Sequence, residues 1–149
     1  MGALALPAYG TVYVDANSII YTIEGVEPYL TTLDPLWDAV QAGTLTVATS
    51  DLSLLEVLIG PMKTGDKGLE AGFRNLLQGT QGVQLLPINH VVLERAASLR
   101  ATVNIKTPDA IHAATALIAG CALFVTNDRA FQNVPGRAVA VLSEVIAAQ

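Results

Sequence analysis

Apolar and polar positions along this chain follow two alternating rhythms. Short runs of apolar and β-branched residues at Thr11–Asp15, 45–48, 83–86, Leu123–Thr126 and 138–141 read as buried strands. Between them, apolar residues recur at helical spacing. Ile19, Ile20 and Ile23 predict a short helix from Asn17 to about Glu24, followed by a loop from Gly25 to Tyr29. Leu33, Trp37 and Val40 predict a second helix, with Asp34 as its cap, Pro35 in its first position and Gly43 at its end. Ser50 or Asp51 caps a third, running through Ile59 to a stop at Gly60-Pro61, after which residues 62–68 read as a polar loop.

Leu69, Phe73, Leu76 and Leu77 mark a further amphipathic helix, closed by residues 79–82. Val92, Ala96, Leu99 and Val103 mark one starting near His90. Thr107 and Pro108 open the next, with Thr107 as cap and Asp109 in the second helical position, running through Ala119. Asp128 starts a helical turn carrying Phe131, and Ser143 caps a last short helix. Strands alternating with helices imply an α/β fold: a mostly parallel, about five-stranded sheet flanked by helices in a three-layer sandwich. Residues 1–10 read as an irregular lead-in, and residues 1–149 as a single domain.

Composition narrows the class. With 52% hydrophobic and 14% charged residues in 149, the chain is too apolar for disorder and has enough surplus to cover a partner. The longest uncharged apolar stretch, 113–125, is too short to cross a bilayer and is split by Gly120. The first ten residues lack the basic and long apolar regions of a signal peptide, and Cys121 is alone, which excludes a disulfide framework and a cysteine zinc site. These features point to a soluble cytoplasmic protein. A net charge of −5 argues against nucleic-acid binding through a broadly basic surface, yet leaves room for a nuclease whose acidic pocket is neutralised by metal.

Four carboxylates carry the candidate chemistry, and each has an ordinary explanation. Asp15 ends the run Thr11-Val12-Tyr13-Val14 and suits a helix cap; Asn17 and Ser18 add polar groups at the same place. Glu56 shares a narrow helical face with Ser53 and Gly60, either the solvent face of a core helix or a face turned into a cleft. Asp109 complements the dipole of its helix, although Ala110, Ala113 and Ala114 suggest close packing on the sheet. Asp128 follows Thr126-Asn127 and suits a turn. Asp15 and Asp128 follow parallel strands and so share one sheet edge, where open α/β folds bind ligands. Glu56 and Asp109 lie near helix starts within reach of that edge. Four converging acids repel one another unless some are protonated or a divalent cation sits among them, and oxygen-only donors favour Mg²⁺ or Mn²⁺.

The segments Val14-Asp15-Ala16-Asn17, Ser53-Leu54-Leu55-Glu56-Val57-Leu58, Pro108-Asp109-Ala110-Ile111-His112-Ala113-Ala114 and Thr126-Asn127-Asp128 with Phe131 resemble, in order and spacing, the PIN-domain nucleases over 12–146. The likeness is closest to the VapC-type toxin ribonucleases. Each motif is short; the ordered set is the specific signal. The resemblance implies Asp15, Glu56, Asp109 and Asp128 as an acidic Mg²⁺ or Mn²⁺ site, with Asn17 and Thr126 as polar neighbours. It implies metal-dependent cleavage of RNA leaving a 3′-hydroxyl and a 5′-phosphate, a homodimer, and an antitoxin protein that blocks the site. Within that frame Asp15 and Asp109 are direct or water-mediated metal ligands, Glu56 is a ligand or orients the attacking water, and Asp128 completes the site or holds a second ion. His112, one turn past Asp109, contacts RNA or serves the structure, a lone helical histidine being weak evidence for a ligand. Lys63, Lys67, Arg74 and above all Arg129 are candidate phosphate contacts, against a reading as ordinary surface charge.

Two other classes compete. One is a catalytically degenerate or housekeeping PIN-like module that binds RNA or protein. The other is a phosphatase of the haloacid-dehalogenase type, disfavoured because Asp15-Ala16-Asn17 lacks a second acid two residues after the first.

Overall fold

In a computed structural model, which describes residues 2–148, the strands β1 (Thr11–Val14), β2 (Thr46–Ser50), β3 (Val83–Leu86), β4 (Leu123–Thr126) and β5 (Val139–Val141) form one sheet. Its order is β3-β2-β1-β4-β5, and every neighbouring pair is parallel. Met1 and Gln149, the outermost residues of the expected lead-in and domain, lie outside the described residues. Helices α1 (Ala16–Glu24), α2 (Tyr29–Ala42), α3 (Asp51–Thr64), α4 (Lys67–Gly79), α5 (His90–Thr102), α6 (Thr107–Ile118) and α7 (Leu142–Ala147) fill the connections, with a 3₁₀ turn at Arg129–Asn133.

The pleat sends alternate side chains to opposite faces and so builds two cores. Val12, Val14, Val47, Leu123 and Val125 meet Ile19, Leu33, Leu36, Phe73 and Leu77 on the α1–α4 side. Tyr13, Ala48 and Phe124 meet Ala96, Leu99, Ala110, Ala113 and Ala114 on the α5–α6 side. The alanines of α6 bring that helix close over the sheet, the packing role its small side chains suggest. No described helix is long and apolar enough to cross a membrane.

Four helix boundaries differ from the sequence reading. Helix α2 starts at Tyr29, not after Asp34, and Pro35 lies inside it. The start is held from outside: Glu27 accepts from Thr31 N–H at 3.1 Å, and Tyr29 stacks on Tyr21 at 4.3 Å. Helix α3 runs through Gly60 and a buried Pro61 to Thr64, taking in half of the predicted loop, and stops where Gly65 turns left-handed at φ +70. Asp66 then caps α4 by accepting from Leu69 N–H at 3.0 Å, so the remaining loop is two residues long. In α6 the cap position falls on Lys106; Thr107 is already helical and its hydroxyl accepts from Arg100 Nη1 at 2.8 Å. Ser143 likewise lies within α7 instead of capping it, and its N–H donates to Asn127 Oδ1 at 2.9 Å. In α6 and α7 a contact with a neighbouring element accompanies the shift, while α2 and α3 are set by local capping and by burial of Pro61.

Gly82, just before β3, has φ +87, and a Cβ there would lie 3.0 Å from Val40 Cγ1. Backbone strain and crowding act together, so Gly82→Ala is expected to lower stability by about 1–2 kcal/mol. Denaturant midpoints at unchanged m-value measure this loss directly.

Candidate functional site

Strand order reverses beside β1. The chain runs outward from β1 to β2 and β3, then crosses back to β4 and β5 on the other side. At such a reversal the following connections diverge and leave a crevice at the carboxyl edge. Asp15 follows β1 there and Asp128 lies two residues beyond β4. A cleft of about 320 Å³ opens at this point, and Asp15, Asn17, Glu56, Asp109, His112 and Asp128 line it. Residues from β1–α1, α3, α6 and the end of β4 are thus brought together from across the chain. A larger hollow, about 820 Å³, lies at the opposite edge around Trp37, Leu76 and Gly82, but none of its lining residues carries an ionisable side chain. Chemistry therefore favours the smaller cleft over the larger one.

Asp15 is buried and fully engaged. Oδ1 accepts from Ser18 N–H at 3.0 Å and from Ser18 Oγ at 2.9 Å, and Oδ2 accepts from Thr126 Oγ1 at 2.6 Å. It caps α1 and faces the cleft together, so the two readings of this residue are compatible. Burial pushes its carboxyl above the usual aspartate range, against the opposing pull of the Thr126 and Ser18 donors. Thr126, fully buried, also accepts from Asp128 N–H at 3.0 Å, so one hydroxyl joins the strand end of β4 to both acids. Asp128 is exposed and caps the 3₁₀ turn by accepting from Ala130 N–H at 2.9 Å.

Asp109 is half-buried in the first turn of α6. Burial raises its carboxyl above the ordinary range, and Asp128 raises it next most; Glu56 and Asp15 add to this while His112 opposes it. The acids therefore sense one another electrostatically. Glu56 does not sit on a plain solvent face. Its Oε1 lies 2.6 Å from His112 Nε2, while the exposed side of α3 carries Leu55, Ile59 and Met62.

His112 is 3% exposed, with Nδ1 2.6 Å from the Tyr13 hydroxyl and Nε2 on Glu56. Both ring nitrogens are engaged within the protein, which supports the structural reading over an RNA contact. Tyr13 is wholly buried, accepts from Ser50 N–H at 3.0 Å and stacks on Phe124 at 4.8 Å. Burial pushes its phenol upward despite the Ser50 and Thr49 hydrogen bonds, so it keeps its proton. The sequence reading passed over Tyr13 and Ser50 as strand and cap; a tyrosine in an otherwise aliphatic strand end was the available signal.

Asn17 is exposed at the cleft. Asn127 turns away from it: Nδ2 donates to Tyr21 Oη at 3.2 Å and Oδ1 accepts from Ser143 N–H. Arg129 does not line the cleft and pairs with Glu144 at 2.9 Å. Lys67 and Arg74 both pair with Glu70 on α4.

The donor set fits a hard divalent cation in kind, being carboxylate oxygens whose mutual repulsion a cation would relieve. Among the described residues, no group of three or more His, Cys, Asp or Glu side chains is arranged to hold a metal. Donors of this kind suit a cation held by one or two carboxylates and completed by water, the mode Mg²⁺ favours.

Comparison with known proteins gives one family and a set of related structures. The PIN domain family model matches residues 12–137. The fold is similar to VapBC2 from Rickettsia felis bound to a DNA fragment from its promoter, with TM-score 0.69 and 20% identity over 87% of this chain and 97% of the other. It is similar to a toxin–antitoxin complex from Klebsiella pneumoniae, with TM-score 0.66 and 23% identity over 88% and 97%. VapBC-1 from nontypeable Haemophilus influenzae gives TM-score 0.63 and 18% identity over 89% and 98%. Comparison with curated proteins finds no match.

Proposed function

From the premise that this chain belongs to the PIN domain family, we propose that it is a metal-dependent endoribonuclease, the toxin of a VapBC-type toxin–antitoxin pair acting in the cytoplasm. The observation that carries the reading is the convergence of Asp15, Glu56, Asp109 and Asp128 on one cleft at the strand-order reversal. Residues 1–149 then form a single PIN-like domain.

In this reading Asp15 and Asp109 hold Mg²⁺ or Mn²⁺, Glu56 orients the attacking water or adds a ligand, and Asp128 completes the acidic set. The bound ion would supply Lewis-acid stabilisation of phosphate charge and lower the pKa of a water. Thr126 and Ser18 hold the Asp15 oxygens at the strand end. Half-burial of Asp109 and the proximity of Asp128 keep this carboxylate responsive to a cation. Asn17, exposed beside Asp15, is available to the RNA backbone.

Leu55, Ile59 and Met62 form an exposed apolar stripe on α3, with Ile59 reaching the cleft rim. Their spacing suits a protein partner. We assign that role to a second copy of the chain or to a cognate antitoxin covering the site, in keeping with the toxin–antitoxin complexes that share the fold.

The test is cleavage of structured RNA by the folded protein with Mg²⁺ or Mn²⁺. Cleavage is expected to stop on chelation, to return on adding metal, and to fall by about 10²–10³-fold in Asp109→Asn without loss of helical signal. Full activity in that variant, or no cleavage with either ion, would sink the nuclease assignment. The open arrangement of the acids favours one second reading, a PIN-like binding module without catalysis. Calorimetry separates the two: Mn²⁺ binding that depends on Asp15 and Asp109 supports the nuclease, and acid-independent heats support the module.

A further inference from the structure

A hydrogen-bond chain runs through the protein beneath the cleft and returns to the helix where it starts. Ser50 N–H, at the start of α3, donates to the Tyr13 hydroxyl at 3.0 Å. That hydroxyl lies 2.6 Å from His112 Nδ1, and His112 Nε2 lies 2.6 Å from Glu56 Oε1, again on α3. Each connected side chain sits next to an acid of the cleft. Tyr13 is two residues before Asp15, His112 is three after Asp109, and the chain ends on Glu56 itself.

A proton order can be assigned along this chain, starting from the phenol. The Tyr13 oxygen accepts from Ser50 N–H, so its own proton is free to be donated. Both Thr49 and His112 Nδ1 lie beside the phenol, and the relay assigns the proton to Nδ1 at 2.6 Å. An imidazole accepting at Nδ1 carries its hydrogen at Nε2 and donates it to the Glu56 carboxylate. The phenol thus selects the histidine tautomer, and the tautomer orients the carboxylate.

Burial changes along the chain in a way a plain packing pair would not require. Tyr13 is 0% exposed and His112 is 3%, while the Glu56 side chain is 32% exposed and lines the cleft. The buried members are rigid: Tyr13 stacks on Phe124 at 4.8 Å and meets the His112 ring edge-on at 5.9 Å. A glutamate on a helix surface otherwise samples several rotamers in water. Here one oxygen is held by the interior while the residue lines the cleft.

We infer that Tyr13 and His112 are positioning residues: they hold Glu56 in one orientation over the cleft, with His112 fixed as its Nε2–H tautomer. The consequence for catalysis rests on the nuclease reading; the tautomer and the hydrogen-bond chain do not. The same relay also sets the spacing of three acids, because it ties β1, α3 and α6 at the points where Asp15, Glu56 and Asp109 leave them.

The test combines imidazole ¹⁵N NMR with steady-state kinetics. The chain has two histidines, so a His90→Gln background leaves only the His112 signals. The wild-type ring is expected to show a protonated Nε2 and an unprotonated, hydrogen-bonded Nδ1. Tyr13→Phe should shift the Nδ1 resonance, and Glu56→Gln the Nε2 resonance. For RNA cleavage, His112→Leu should lower kcat by about 10- to 100-fold with KM near wild type. His112→Gln should restore most of that loss, because its amide can accept from Tyr13 and donate to Glu56 as the neutral imidazole does. A proton on Nδ1 in the wild type overturns the relay. Unchanged kcat in His112→Leu, or a fall that only follows the folded fraction measured by circular dichroism, overturns the positioning role. If the folded wild type cleaves no RNA with either metal, the nuclease reading fails, and the NMR outcome still decides the relay.

Discussion

Asp15→Asn is expected to lose RNA cleavage by about 10²–10³-fold while its metal-free form becomes more stable than the wild type. The two effects have one cause. Asp15 is buried, and burial raises its carboxyl even after the Thr126 and Ser18 donors have pulled the other way. The charged form is therefore less favourable in the folded chain than in the unfolded one. An asparagine keeps the two Ser18 bonds through its carbonyl oxygen and removes the buried charge, while the Thr126 hydroxyl, which donates to Asp15 Oδ2, must turn to accept from the amide. The gain is expected as a higher Tm of the metal-free variant at neutral pH.

Its pH dependence has a definite sign. A folded-state pKa above the unfolded value means that the native state holds the proton more tightly. Wild-type Asp15 thus favours the fold in acid and loses that contribution as pH rises. Below the ordinary aspartate range the two proteins should unfold alike. The advantage of Asp15→Asn should open as pH rises towards neutrality in chelator, and Mn²⁺ should narrow it by stabilising only the wild type. Thermal unfolding at several pH values, with and without Mn²⁺, reads all three. A metal-free Asp15→Asn protein less stable than wild type at neutral pH would contradict this account of the site.

Phe73→Ala is expected to produce the largest loss of stability, with little direct change at the acids. Phe73 is 0% exposed in α4 and belongs to the core formed with Ile19, Leu33, Leu36 and Leu77. The helix is in contact with α1 beside it: a Cβ on the adjacent Gly72 would meet Ile23 Cγ2 at 3.4 Å. Core neighbours relax only in part around a deleted ring, so a cavity remains. Lost burial and residual cavity together should cost about 3–5 kcal/mol, a large part of the roughly 5–15 kcal/mol that holds a typical domain folded. Tm should fall by roughly 10 °C or more. Chemical denaturation measures the loss, and Mn²⁺ titration below the new Tm should give an affinity close to wild type. A loss under about 1 kcal/mol would mean that α4 is not part of the main core. Asp15→Asn and Phe73→Ala thus move stability in opposite directions, which separates what the site costs from what the core contributes.

The sequence by itself determined the strand positions and the class of fold. Buried parallel strands need continuous apolar runs, and those at Val83–Leu86 and Leu123–Thr126 coincide with the observed elements. It also determined which acids could matter, because Asp15 and Asp128 interrupt such runs at their carboxyl ends. Helix boundaries were less legible. Pro35 and Gly60-Pro61 are strong local stop signals, but α2 and α3 pass through them because Glu27, Tyr21 and the packing of buried Pro61 support the helices from outside.

Only the tertiary structure decided how the acids are held. Periodicity placed Glu56 on a face shared with Ser53 but could not choose between water and the cleft. The choice came from His112, 56 residues away, and from Tyr13, 99 residues from His112. The same holds for Thr126, whose bond to Asp15 spans 111 residues. Local sequence records burial and turn chemistry, since these act over a few residues. It does not record the direction of a side-chain hydrogen bond between distant elements, which exists only once the sheet has brought β1, β4, α3 and α6 to the same edge.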